Sequence, residues 1–74
     1  MNVLLFGLIA EKAGAHSMVM EASSTAELRV MLASRINGLD KLSYAIAVDR
    51  QVVKDDVPLT GAEEIAVLPP FAGG

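Results

Sequence analysis

The sequence predicts an α+β fold in which one long helix lies across one face of a mixed β-sheet. Three observations carry that expectation. Only one segment, 25–36, keeps apolar residues on one side at helical spacing over several turns. Short β-rich runs occupy both ends of the chain and the stretch after the helix. The first and last of them, Asn2 to Ile9 and Ile65 to Leu68, are apolar almost throughout, as strands buried on both faces in mid-sheet are. A single helix among strands excludes helical bundles and doubly wound sheets.

Taken in order, Asn2 to Ile9 reads as a buried strand with Gly7 at its bend or exit. One helical turn, Ala10 to Ala13, is closed by Gly14, and Ala15 to Glu21 alternates as a second strand antiparallel to the first. In that strand Met18 and Met20 share one face, opposite Ser17, Val19 and Glu21. Ser24 followed three residues later by Glu27 is a capping-box pattern opening the helix Thr25 to Ile36. Its core side is expected to carry Ala26, Leu28, Met31, Leu32 and Ile36, and Asn37-Gly38 to supply a left-handed stop. After a connection from Leu39 to Ser43, Tyr44 to Val48 and Gln51 to Val53 flank Asp49-Arg50 at hairpin spacing. The polar stretch around Lys54 to Pro58 cannot pair through the proline nitrogen, and Leu59 to Glu64 is a loop into the last strand.

The order β, β, long helix, β, short β, β packs most economically as a β-grasp, with the first and last strands adjacent and parallel at the centre. One helix covers one sheet face only. By alternation Val3, Leu5, Ile65 and Val67 take one face, and Leu4, Phe6, Ala66 and Leu68 the other, so neither face is polar. An uncovered apolar patch of Phe6, Leu68 and Val52 is therefore expected, and such patches mark protein docking. The alternative is a loop, 39–43 or 57–60, folded over it.

Composition fits a small self-sufficient domain. At 74 residues without cysteine, neither disulfide nor cysteine-bound metal can brace it, but 53% apolar residues supply a core. The absence of cysteine and of a leader-like apolar run suggests a cytoplasmic protein, and no stretch approaches membrane-helix length. A net charge of -3 with six scattered Lys and Arg lacks the basic patch of a nucleic-acid module. His16 has no second ligand at metal spacing and reads as a surface histidine, while Glu63 and Glu64 read as solvated loop charges or contacts to a basic partner.

The chain ends Leu68-Pro69-Pro70-Phe71-Ala72-Gly73-Gly74. Paired prolines make a stiff polyproline-like strut, and glycines without Cβ fit a channel too narrow for side chains. Five or six residues at ~3.3 Å each reach roughly 15 to 20 Å, enough to enter a partner's active site. The expected division is a β-grasp body, residues 1–70, and a projecting tail, residues 71–74, with the Gly74 carboxylate as its most reachable group.

Several of these features together are similar to one family. Phe6-Gly7 followed by Glu11 and Gly14, the helix, the hairpin at Ala47-Val48-Asp49 and the terminal Pro-Pro-Phe-Ala-Gly-Gly resemble the MoaD-like small subunit of molybdopterin synthase, within the MoaD/ThiS ubiquitin-like sulfur carriers. The family commonly has arginine at the place of Ala10, asparagine at that of Asp49, and a glycine one position from Gly61.

The resemblance implies a sulfur carrier that is no enzyme alone. An adenylating MoeB-like enzyme, using ATP and Mg, would activate the Gly74 carboxylate. A persulfide protein would supply sulfur to make a thiocarboxylate, and the carrier would donate it to a cyclic pyranopterin in the MoaE-like large subunit. Gly73 and Gly74 would be the reacting end, and Phe6, Val52, Leu68, Pro69, Pro70, Phe71 and Ala72 the partner contacts. The assembly implied is a hetero-tetramer, with no cofactor or metal held by this chain and no nucleic-acid or membrane partner. A ThiS-like carrier for thiazole synthesis, a protein modifier conjugated through Gly74, and a binding module with an inert tail remain alternatives.

Overall fold

The computed structural model describes residues 1–69; Pro70, Phe71, Ala72, Gly73 and Gly74, the expected end of the strut and tail, lie outside the described residues. Eight elements follow one another: β1 (Asn2–Leu5), α1 (Gly7–Ala13), β2 (Ser17–Val19), α2 (Thr25–Arg35), a 3₁₀ turn (Leu39–Lys41), β3 (Ala45–Val48), β4 (Gln51–Val53) and β5 (Ile65–Leu68). The five strands form one sheet in the order β2-β1-β5-β3-β4. As expected for a β-grasp, β1 and β5 pair in parallel at the centre, Val3 opposite Ile65 and Leu5 opposite Val67. The other neighbours are antiparallel.

The inner face of the sheet carries the core. Val3, Leu5, Ile46, Ile65 and Val67 are buried, together with Leu28 and Leu32 of α2 and Ile36 just beyond it. Burying a side chain of this size contributes roughly 1.5 to 3 kcal/mol, and these residues come from every layer of the fold. Met20 is buried and Met18 and Met31 pack on the cluster's margin, so the methionines fill the core.

The first strand is shorter than the sequence suggests. It stops at Leu5, and Gly7 to Ala13 is helix rather than a continuation followed by one turn. Gly7, at φ +58°, turns the chain off the sheet, and Ile9 and Ala10 then bury one side of α1. Gly14 ends it in the left-handed conformation, its N–H donating to the carbonyls of Ala10 and Glu11. β2 keeps only the middle of the expected 15–21 run.

The main helix starts where its capping box predicts, with the return bond from Glu27 reaching one residue before the cap. The Ser24 hydroxyl accepts from the Glu27 N–H at 3.2 Å, and the Glu27 carboxylate accepts from the Ser23 N–H at 2.9 Å. A second clamp comes from far along the chain: Asp56 accepts from the Ala26 N–H, while the buried Thr25 hydroxyl accepts from the Val57 N–H. Ala26 is exposed rather than in the core, because Thr25 takes the inward place beside Leu28. The stop also differs. Ile36, extended and buried, ends the helix, and left-handed Gly38 instead starts the 3₁₀ turn that buries Leu39. The stretch with Pro58 does pair, since Leu59 N–H donates to Ser23 and Thr25 N–H to Val57 on either side of the proline. No proline N–H is needed.

The β3–β4 turn places two residues with side chains in left-handed conformation, Asp49 at φ 49° and Arg50 at φ 70°. A two-residue hairpin of this hand favours glycine at the second position. Arg50 repays little of that strain, because its exposed contact to Glu64 spans 3.8 Å. Arg50→Gly is expected to stabilise the fold by about 0.5 kcal/mol, the relief of strain outweighing the added freedom of the unfolded chain. Urea denaturation should show a higher midpoint at unchanged slope.

Candidate functional site

The site is built by the sheet's outer face and the end of β5. Strand register puts Val52, Ala47, Ala66, Leu4 and Ser17 in one row across all five strands. Ala45 and Leu68 are paired one pleat further on, and Phe6, still extended after β1, falls beside them by alternation. Its N–H donates to the Val67 carbonyl, keeping it against β5. Phe6, Val52 and Leu68, three of the expected patch residues, thus share one face.

Among the described residues no helix packs on this side. Phe6 is 44% and Val52 47% exposed, whereas Leu68 is half-buried among its neighbours. The loop alternative does not hold, for Leu39 and Leu59 turn into the core instead of over the outer face. Sequence reasoning missed Val19, which is 73% exposed at the β2 edge opposite Asn2. Its parity to Ser17 was the available signal.

Pro69, the last described residue, stands where β5 leaves the sheet and packs on Gly7. Pro70, Phe71, Ala72, Gly73 and Gly74 follow it in sequence and lie outside the described residues. Leu8, half exposed on α1, adds a further apolar group near this exit.

The polar candidates take structural places. His16 is exposed and contributes its backbone carbonyl, which accepts from the Leu5 N–H. Among the described residues there is no cluster of His, Asp or Glu able to hold a metal. Asp49 accepts from the Glu64 N–H through its carboxylate at 2.9 Å, so an asparagine-like bond ties the hairpin to the loop before β5. Ala10, where the family pattern has arginine, is buried in the core cluster.

Glu63 closes the 60–63 turn. Its carboxylate accepts from the Thr60 N–H at 2.8 Å and from the Gly61 N–H at 2.9 Å, and Gly61 adopts φ +100° within the loop. The Thr60 N–H chiefly holds this carboxyl below its usual range, against a smaller opposing effect of desolvation, with the Glu63 and Gly61 N–H groups and the Thr60 hydroxyl adding to it. A depressed folded value means the contribution is complete above the unfolded pKa and is lost as pH falls through the folded one. Glu63→Gln is therefore expected to flatten the acid limb of stability against pH, and a carboxyl titration followed by NMR should find Glu63 midpoint low in the parent.

A family model, the ThiS family, matches residues 3–74. Among solved structures, the chain is similar to one in the complex of subunits 1 and 2 of molybdopterin-converting factor from Helicobacter pylori. The identity is 29%, the TM-score 0.74, and the alignment covers 99% of this chain and 96% of that one. No curated protein gave a significant match. No helix among the described residues is long and apolar enough to cross a membrane. With a five-stranded sheet centred on parallel β1 and β5, and a family match over nearly its whole length, the chain belongs to the ThiS family, the MoaD- and ThiS-like ubiquitin-like carriers.

Proposed function

We propose that this chain is the sulfur-donating small subunit of a molybdopterin synthase. The supporting observation is the junction of β5 with the Pro-Pro-Phe-Ala-Gly-Gly end beside an exposed apolar face, in a chain similar to a subunit of molybdopterin-converting factor. In this reading the outer face, with Phe6, Val52 and Leu68, grips the large subunit. Pro69, Pro70, Phe71 and Ala72 line the route into its active site.

The chemistry belongs to Gly74. A carboxylate is a poor acyl donor, so a MoeB-like enzyme with ATP and Mg converts it to an acyl adenylate and releases pyrophosphate. A persulfide sulfur displaces AMP, and cleavage of the S–S bond by a thiol leaves the thiocarboxylate. Its sulfur attacks the cyclic pyranopterin precursor in the large subunit, and water restores the carboxylate. Two loaded carriers supply the two sulfurs of the dithiolene, which agrees with a hetero-tetramer of two carriers on a dimer of large subunits. The carrier is a reagent; general acids and bases come from its partners.

The test is to incubate the chain with ATP, Mg, a MoeB-like enzyme and a persulfide-bearing sulfurtransferase, then weigh it. One oxygen exchanged for sulfur at Gly74, and retention of the chain by a MoaE-like subunit, are expected. Conjugates to lysine without that exchange would establish the modifier reading instead. The ThiS family match supports a second route, delivery to thiazole synthesis, which predicts retention by a thiazole synthase and not by the MoaE-like subunit.

A further inference from the structure

We propose that Gly7 is a positioning residue for the tail: its bare Cα seats the Pro69 ring, and that seat sets the direction in which the chain leaves the sheet. The proposal rests on the carrier reading above. A Cβ built on Gly7 would stand 3.2 Å from Cγ of Pro69, 3.7 Å from its Cβ and 3.8 Å from its Cδ, so the ring, Cγ foremost, takes the space a side chain would need. The other left-handed glycines differ. Gly14 faces open space, and Gly38 and Gly61 approach only the ends of the flexible Lys12 and Glu21 side chains.

This contact matters because of what a proline cannot do. Pro69 has no N–H, so the sheet ladder cannot hold it beyond Leu68. Its φ is fixed by the ring, and its ψ is confined because Pro70 follows. The same rule confines ψ of Leu68, which precedes Pro69, to the extended range, and within that range the contact with Gly7 fixes where the ring sits. Gly7 is itself held in place, since the Phe6 N–H is bonded to Val67 on β5 and the Phe6 carbonyl accepts from Ile9 and Ala10. Leu8, Ile9 and Leu42 line the apolar hollow on the ring's flank.

Leverage makes a small seat consequential. Five residues after Pro69 span up to roughly 16 Å, so a tilt of about 10° at the root shifts the tip by roughly 3 Å. Displacements of about 1 Å are enough to slow a positioned reaction by up to about a hundredfold.

The experiment approaches the contact from both sides, with Gly7→Val and Pro69→Ala. The chain has no cysteine, so nitroxides on cysteines introduced for exposed Val30 and for Ala72 give a distance distribution in the free chain. Unlabelled chains serve for sulfur transfer. A shifted or broadened distribution is expected in both variants, with single-turnover transfer slowed on the order of tenfold, and in Gly7→Val, which leaves the partner contacts in place, affinity for the large subunit stays within about twofold. Wild-type distances in Pro69→Ala, or altered distances with wild-type transfer, overturn the proposal. Should circular dichroism show that Gly7→Val loses α1, Pro69→Ala decides alone. A wild-type chain that never gains sulfur refutes the carrier reading instead, and the distance distribution then decides the role of Gly7 by itself.

Discussion

Deletion of Gly73 and Gly74 is expected to abolish molybdopterin synthesis while leaving thermal unfolding of the body unchanged. The two halves of that result have separate causes. The core is assembled from residues between Val3 and Val67, and its largest members are fully buried in the sheet, the helices and the 3₁₀ turn. Two glycines at the chain end bring no side chain to it. On the carrier reading, however, the reacting carboxylate moves back by roughly 7 Å and passes from glycine to Ala72, whose methyl adds width that a channel fitted to glycine would reject. Product formation with purified partners measures the first half, a melting curve the second. Retained synthesis would leave the inert-tail reading as the correct one.

Phe6→Asp is expected to weaken docking on the large subunit by about thirtyfold or more, without destabilising the chain. Phe6 is the residue that precedes the first turn of α1, in extended conformation, and its own side chain makes no capping bond. Aspartate is among the preferred residues at such a position, because its carboxylate accepts from the free N–H groups of the first turn. The helix therefore gains while the outer face loses an aromatic ring that is 44% exposed and acquires a charge. Central aromatic contacts of an interface are worth about 2 kcal/mol or more, the factor quoted above. Titration calorimetry against the large subunit, beside urea denaturation of the free variant, checks both parts. Equal affinity for parent and variant would move the interface elsewhere.

Much of this arrangement was legible in the residues. The parallel pairing of β1 with β5 followed from two runs apolar on both parities, and the exposed outer face from a single helix that can cover one side only. The capping box located the start of α2 to the residue. What the chain hid was α1. Leu8-Ile9-Ala10 continues the apolar run of β1, and over so short a span strand and helix share the same composition. The difference lies in Gly7, whose positive φ breaks the run and turns the chain so that Ile9 and Ala10 are buried as one side of a helix. The 3₁₀ turn was likewise read as a mere connection, because Leu39 is buried by tertiary packing that local sequence does not encode. At the site, Phe6, Val52 and Leu68 were found by parity, whereas the seat of Pro69 on Gly7 joins residues far apart in sequence and required coordinates.

The central place of β5 also bears on mechanics. On the carrier reading proposed above, a tail that enters a partner must be withdrawn, and the pull is then transmitted along β5. That strand is flanked on both sides, by β1 in parallel and β3 in antiparallel pairing. Force along its axis loads the flanking hydrogen bonds together in shear, whereas an edge strand such as β4 could be unzipped one bond at a time. On that reading the handle by which the carrier is drawn out is anchored in the centre of its sheet, between two flanking strands.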